Sequence, residues 1–135
     1  MVKLITVQSD SESNILVAFS SEVWGFKEEM KRTNIRLGTF ITFYCTETSD
    51  LKGLGLILNE AKNGKIQRNI WLDGDYYNET PFSLISKKQI SKDRLQQLFG
   101  SNWYKKLNPF CSAHGACATF SAEELQKLID EFMTA

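Results

Sequence analysis

The sequence predicts a single α+β domain, and three observations carry that expectation. Thr39 to Cys45 is rich in β-branched and aromatic residues, as a central strand would be. Asn63-Gly64 lies between Leu54 to Glu60 and Ile66 to Leu72. Asn-Gly supplies the positive φ angles of a type I′ turn, so these two segments are expected to pair antiparallel. In the last third, Ser91 and Ser121 each open a helical stretch with a recognisable cap.

Taken in order, the chain begins with a short apolar segment and a polar stretch over residues 8–13. Residues 1–13 are therefore expected to be an N-terminal extension, and 14–135 the domain. Asn14 to Phe19 is a continuous apolar run with β-branched members, which suits a buried strand. Residues 26–32 have helical character, and Gly25 places the start of that helix after Trp24, leaving the tryptophan on a loop facing outward. Gly53 and Gly55 mark a spot where a strand bends to help close a barrel. Asp73-Gly74 ends the Ile66 to Leu72 strand, and Pro81, which cannot donate to a ladder, limits the next strand to an edge or a bulge. Ser91 starts a helix with Ile90 and Leu95 at the staple positions, and Gly100 stops it. Ser121 and Glu124 form a capping box, and Phe120 and Leu125 a staple. Leu125, Leu128, Ile129 and Phe132 then make one apolar stripe that belongs in the core. Trp103 is expected beneath this closing helix.

With 135 residues, 42% of them hydrophobic and 12% aromatic, the chain can fill one core but not two. Lys+Arg and Asp+Glu are both 16, so the overall pull of a strongly basic nucleic-acid binder is absent. Basic residues are nonetheless clustered. Lys87, Lys88, Lys92, Arg94, Lys105 and Lys106 face only Asp93 locally, and Lys27, Lys31, Arg32 and Arg36 stand against Glu28 and Glu29. Each cluster reads either as a solvated helix face or as a phosphate-contacting patch. Cys45, Cys111 and Cys117 are odd in number and lack C-x-x-C spacing, so neither a disulfide framework nor a zinc site is indicated. Cytoplasmic localisation is the natural expectation. No apolar run approaches the ~20 residues of a membrane span, and the start is too short for a signal peptide.

Chemistry of conversion finds little support. The single histidine, His114, sits between Cys111 and Cys117 on a Gly/Ala/Ser stretch, which offers three ligands where zinc wants four and no reason for a Cys/His dyad. Gly53-Leu54-Gly55 lacks both a third glycine and a Lys-Ser/Thr pair, so it is not a phosphate loop. No catalytic residue, metal or cofactor is expected. Nine Phe, four Tyr and three Trp exceed what a small barrel must bury, however, and stacking on an aromatic face is worth about 1–3 kcal/mol per base. Trp24 beside the bend at Gly25 is the leading wall of such a slot, with Tyr44 and Phe110 as further walls. Ser20, Ser21, Asn34 and backbone groups at Gly25 and Cys45 could hydrogen-bond the base edge.

Several segments together resemble EVE and YTH domains of the PUA-like superfamily. They are Val23-Trp24-Gly25, Arg36 to Tyr44, Gly53 to Leu58, Ile70-Trp71-Leu72, Pro81 to Ile85, and Trp103 to Leu107 followed by a Gly-containing loop. Thr39 departs from the acidic residue usual at its position. The resemblance implies a twisted, partly open β-barrel of five to six strands with flanking helices. It also implies a non-catalytic, monomeric reader that flips a modified base into an aromatic pocket. Lys27, Lys31, Arg36, Lys87, Lys88, Lys105 and Lys106 would then contact phosphates at the pocket rim. Similar domains precede McrB-type GTPases in modification-dependent restriction, so methylated DNA and a fused or associated GTPase or nuclease are the expected partners. RNA binding without readout of a modification, and a slot for a nucleotide or heteroaromatic metabolite, are the alternatives.

Overall fold

The computed structural model describes residues 4–26, 38–58, 78–104 and 121–134. These contain five strands and three helices: β1 Leu4–Ser9, α1 Glu12–Ser21, β2 Val23–Phe26, β3 Phe40–Cys45, β4 Asp50–Ile57, β5 Asn78–Ser86, α2 Lys92–Phe99 and α3 Ala122–Met133. The strands form one curled half-barrel sheet in the order β1-β3-β4-β5-β2. Its neighbours are antiparallel except β1 and β3, which run parallel with Leu4 opposite Phe40 and Ser9 opposite Cys45. The α+β class and the curled sheet expected from the sequence are therefore present.

Helices cover both faces of this sheet. On one side Ile15, Ala18 and Phe19 of α1 pack on Ile5, Val7, Ile41, Phe43, Ile57 and Phe82. On the other, Leu95 and Phe99 of α2 and Leu125, Leu128 and Phe132 of α3 pack on Leu4, Tyr44, Leu51 and Leu54. Burial on both faces explains why Ile41 to Cys45 lacks a solvent-facing polar alternation: all five are buried, and the one polar member, Thr42, donates its hydroxyl to the Gly53 carbonyl at 2.6 Å. Trp103, 7% exposed, lies in the second cluster with α3, where the sequence placed it.

Two expectations at the N-terminus are corrected. Leu4, Ile5, Thr6 and Val7 are all buried in a strand that pairs along its length with β3, so the boundary at residue 14 is wrong and residues 4–13 belong to the domain. Asn14 to Phe19 is helix, not strand. Ser11 caps it by accepting from the Asn14 N–H, and Glu12 sits in the first turn. Asn14, Ile15, Ala18 and Phe19 face the core at helical spacing, while Leu16 is 51% exposed. The apolar Leu16 and Val17 filled in the gaps and hid the period. The helix ends at Glu22, in the left-handed region at φ 54°, and β2 follows at once.

The later caps and the glycine bend follow their local signals. Ser91 accepts from the Arg94 N–H, and Ser121 and Glu124 form a complete capping box. Gly53 has φ +147°, and the β4–β5 register shifts between Leu54 and Gly55, which is the bend read from the two glycines. A Cβ on Gly53 would lie 2.7 Å from the Ser86 carbonyl oxygen and 2.8 Å from Phe19 Cζ. Strand β5 is neither an edge nor bulged at Pro81, contrary to expectation. It lies between β4 and β2, and Pro81 is tolerated because β4 stops there: the Pro81 carbonyl accepts from the Leu58 N–H, just past the strand's end. The expected Asn63-Gly64 turn, the Ile66 to Leu72 strand and most of the 26–32 helix lie outside the described residues. Phe26 itself ends β2.

Candidate nucleic-acid interface

The site expected from the sequence centred on Trp24, and the fold puts that residue in a different setting from a loop. Trp24 stands in β2 opposite Thr80 of β5, in the last of the described strands of the sheet, and is 6% exposed. Its ring meets Phe43 edge-on, with centroids 5.4 Å apart and planes at 63°. A large ring following a helix C-terminus and facing a covered sheet buries its area in preference to water. Trp24 is thus part of the core in this state. Gly25 beside it is also buried.

Tyr44 cannot be the facing wall. Phe43 and Tyr44 are consecutive in β3 and so point to opposite faces. Phe43 joins Trp24 on the α1 side, whereas Tyr44 joins Trp103, with ring centroids 6.0 Å apart, and Tyr104, at 5.3 Å, on the α2/α3 side. The sheet stands between the two proposed walls. Burial raises the Tyr44 phenol pKa, against a hydrogen bond to Ser49 that lowers it, so the hydroxyl stays protonated at neutral pH. Cys45 lies on the Trp24 side, fully buried, with its backbone in the β3 ladder, which removes it as a ligand contact.

The polar candidates are partly committed. Ser20 and Ser21 are exposed in the last turn of α1, where their hydroxyls donate to the Leu16 carbonyl at 3.2 Å and the Val17 carbonyl at 2.7 Å. Each oxygen can still accept a hydrogen bond. Asn34 and Phe110 lie outside the described residues, as do Lys27, Lys31, Arg36, Lys105 and Lys106. Cys111, His114 and Cys117 do so as well.

Of the basic candidates that are described, Lys87 is exposed. Lys88 is not a free phosphate contact: its ammonium donates to the Thr134 carbonyl at 2.9 Å and lies 3.8 Å from Glu131. Arg94 makes a two-pronged contact with the same Glu131, Nε to Oε1 at 2.8 Å and Nη2 to Oε2 at 3.1 Å. Those bonds lead the effects that hold the Glu131 carboxyl below its ordinary range. The acidic partner of the 87–94 cluster comes from α3, far along the chain, and local charge reading could not find it.

Sequence reading also missed a buried charge. Lys52 in β4 is 3% exposed, with its ammonium 3.1 Å from Asp50 and 3.2 Å from Glu12 of α1. Thr48 donates in turn to Asp50. Opposite charges two residues apart in a strand share a face, so Asp50-Leu51-Lys52 carried half of this signal. The other half needed α1 to be recognised as a helix.

The curled five-strand sheet with three helices is the fold of YTH domains. The Pho92 YTH domain in complex with m6A superposes with a TM-score of 0.66 at 14% identity, covering 98% of this chain and 84% of that one. The YTH domain of Zygosaccharomyces rouxii MRB1, in complex with N6-methyladenosine RNA, gives 0.65 at 12% identity over 97% and 86%. The Mmi1 YTH domain in complex with RNA gives 0.63 at 13% identity over 98% and 78%. No protein-family model matches the chain, and no curated protein matches its sequence.

Proposed function

We propose that this domain is a non-catalytic reader of nucleic acid carrying a methylated base, with N6-methyladenosine in single-stranded RNA as its ligand. The carrying observation is the fold likeness, which covers nearly the whole chain and includes YTH domains held with N6-methyladenosine or RNA. A curled sheet with an aromatic residue in β2 gives such a base a place to stack. Among the described residues Trp24 is the one we assign to that wall, with Gly25, which has no side chain to block a base, next to it. At 6% exposure Trp24 has no open face the size of a base, so binding includes a step that uncovers it. The apparent Kd is then the intrinsic Kd divided by the fraction of time the site is open.

Methylated DNA, read within a restriction system alongside a GTPase or nuclease, is the second reading, and rests on the resemblance of Val23-Trp24-Gly25 and the segments after it. The same titration separates the two. Fluorescent RNA and DNA single strands and duplexes, each with and without N6-methyladenine, are titrated at fixed low salt. A methyl group placed against aromatic walls contributes about 0.8 kcal/mol or more, so the methylated RNA strand is expected to bind at least about fourfold more tightly than its unmethylated twin. Preference for the methylated DNA duplex would favour the second reading. Equal binding of methylated and unmethylated strands would refute modification readout altogether.

A further inference from the structure

We infer that Phe43 is a positioning residue that fixes the orientation of Trp24, and through it the discrimination for the methylated base; this deepens the proposed function and rests on it. Phe43 is fully buried in β3. Its ring is the shared partner of three aromatic pairs: with Phe19 at 5.2 Å and 80°, with Trp24 at 5.4 Å and 63°, and with Phe82 at 5.3 Å and 50°. Those partners come from α1, β2 and β5, the elements that precede, contain and flank Trp24.

Strand β2 is short, and among the described strands it comes last in the sheet order with β5 as its ladder partner. Ladder hydrogen bonds fix where the backbone of such a strand lies, but they do not fix the rotamer of a bulky side chain on it. An edge-on aromatic contact does, because the electron-poor ring edge and electron-rich face favour a particular angle. Phe43 also ties Trp24 to Phe19 in α1, whose far end leads directly into β2. Motion that uncovers the indole face can therefore occur while its plane is held against Phe43.

The test uses Phe43→Met, which keeps most of the volume and loses the ring, with Phe99→Met as the matched change in the cluster on the other face. Both variants are expected to lose stability in urea. In protein labelled with 5-fluorotryptophan, each of the three tryptophans contributes one ¹⁹F resonance. Phe43→Met is expected to shift or broaden that of Trp24, assigned with Trp24→Phe, and Phe99→Met to leave it in place. With RNA strands differing only by one N6-methyl group, Phe43→Met should reduce the ratio of the two Kd values about two- to tenfold, the range of one oriented aromatic pair. Phe99→Met should keep the ratio. An unmoved Trp24 resonance, or an unchanged Kd ratio in folded Phe43→Met, overturns the inference. A wild-type protein that binds neither strand refutes the proposed function instead, while the ¹⁹F arm still decides whether Phe43 orients Trp24.

Discussion

Replacing Lys52 with Met is the most informative single perturbation of the scaffold, because the consequence depends on a burial that local sequence does not announce. The ammonium is 3% exposed, and its Asp50 partner, 3.1 Å away, is 12% exposed at the side chain. At an effective dielectric of about 20, that one contact is worth roughly 5 kcal/mol in Coulomb attraction, most of which the desolvation of both ions cancels. The Glu12 arm is 39% exposed and is discounted to about 0–1 kcal/mol. Deleting the ammonium alone leaves the Asp50 carboxylate with the Thr48 hydroxyl and no counter-ion, which costs about 3 kcal/mol. On a domain of this size that is a fall of roughly 10 °C in Tm. Urea denaturation followed by circular dichroism measures it, and Lys52→Met combined with Asp50→Leu should recover most of the loss, since an apolar pair can replace a buried ion pair at little cost. Burial lowers the Lys52 pKa, but the hydrogen bonds and charges of Asp50 and Glu12 outweigh it and leave the value raised above 10.5. The contribution is therefore fully present below 10.5 and disappears only as pH rises through the folded value, so the loss should be constant between about pH 6 and 9. A loss under about 1 kcal/mol, or a double variant no more stable than the single, would refute the reasoning.

Three further outcomes are expected. Gly53→Ala should destabilise by about 1–3 kcal/mol in the same urea assay, because the new Cβ meets the Ser86 carbonyl and Phe19 and the backbone sits at φ +147°; a neutral result would show that the bulge relaxes. Ser121→Ala should cost about 0.5–2 kcal/mol through loss of the capping box on α3, and amide exchange should rise first in that helix's opening turn. Glu131→Gln should lower the Tm at pH 7, and the gap to wild type should close as pH falls below 4.5. The native carboxyl titrates low against Arg94, so its stabilisation is present above the unfolded value and lost as the folded one is crossed. A gap that persists at pH 2–3 would assign the effect to packing instead.

Some features of this protein were fixed by residues close together in the chain. The Ser91 and Ser121 caps, the stripe on α3, the dense β3 segment and the glycine bend in β4 each depend on a few neighbouring residues, and each stands as read. Local signals failed where two periods overlapped or a partner came from afar. The α1 helix read as a strand because the exposed Leu16 and half-buried Val17 are apolar as well as the core-facing residues, and that error turned β1 into an extension. Which face of the sheet each aromatic ring occupies was likewise not local. Trp24 and Tyr44 suit a slot equally well by residue type, yet strand alternation around Phe43 sends them to opposite sides of a sheet covered on both. The charge of the 87–94 cluster and the burial of Lys52 were decided by Glu131 and Glu12, contributed by helices that only tertiary packing brings within reach. Sequence determines what each short segment can become, because caps, turns and periodicity act over a few residues. Only the closed fold decides which side chains meet, because burial and charge pairing are properties of elements packed together.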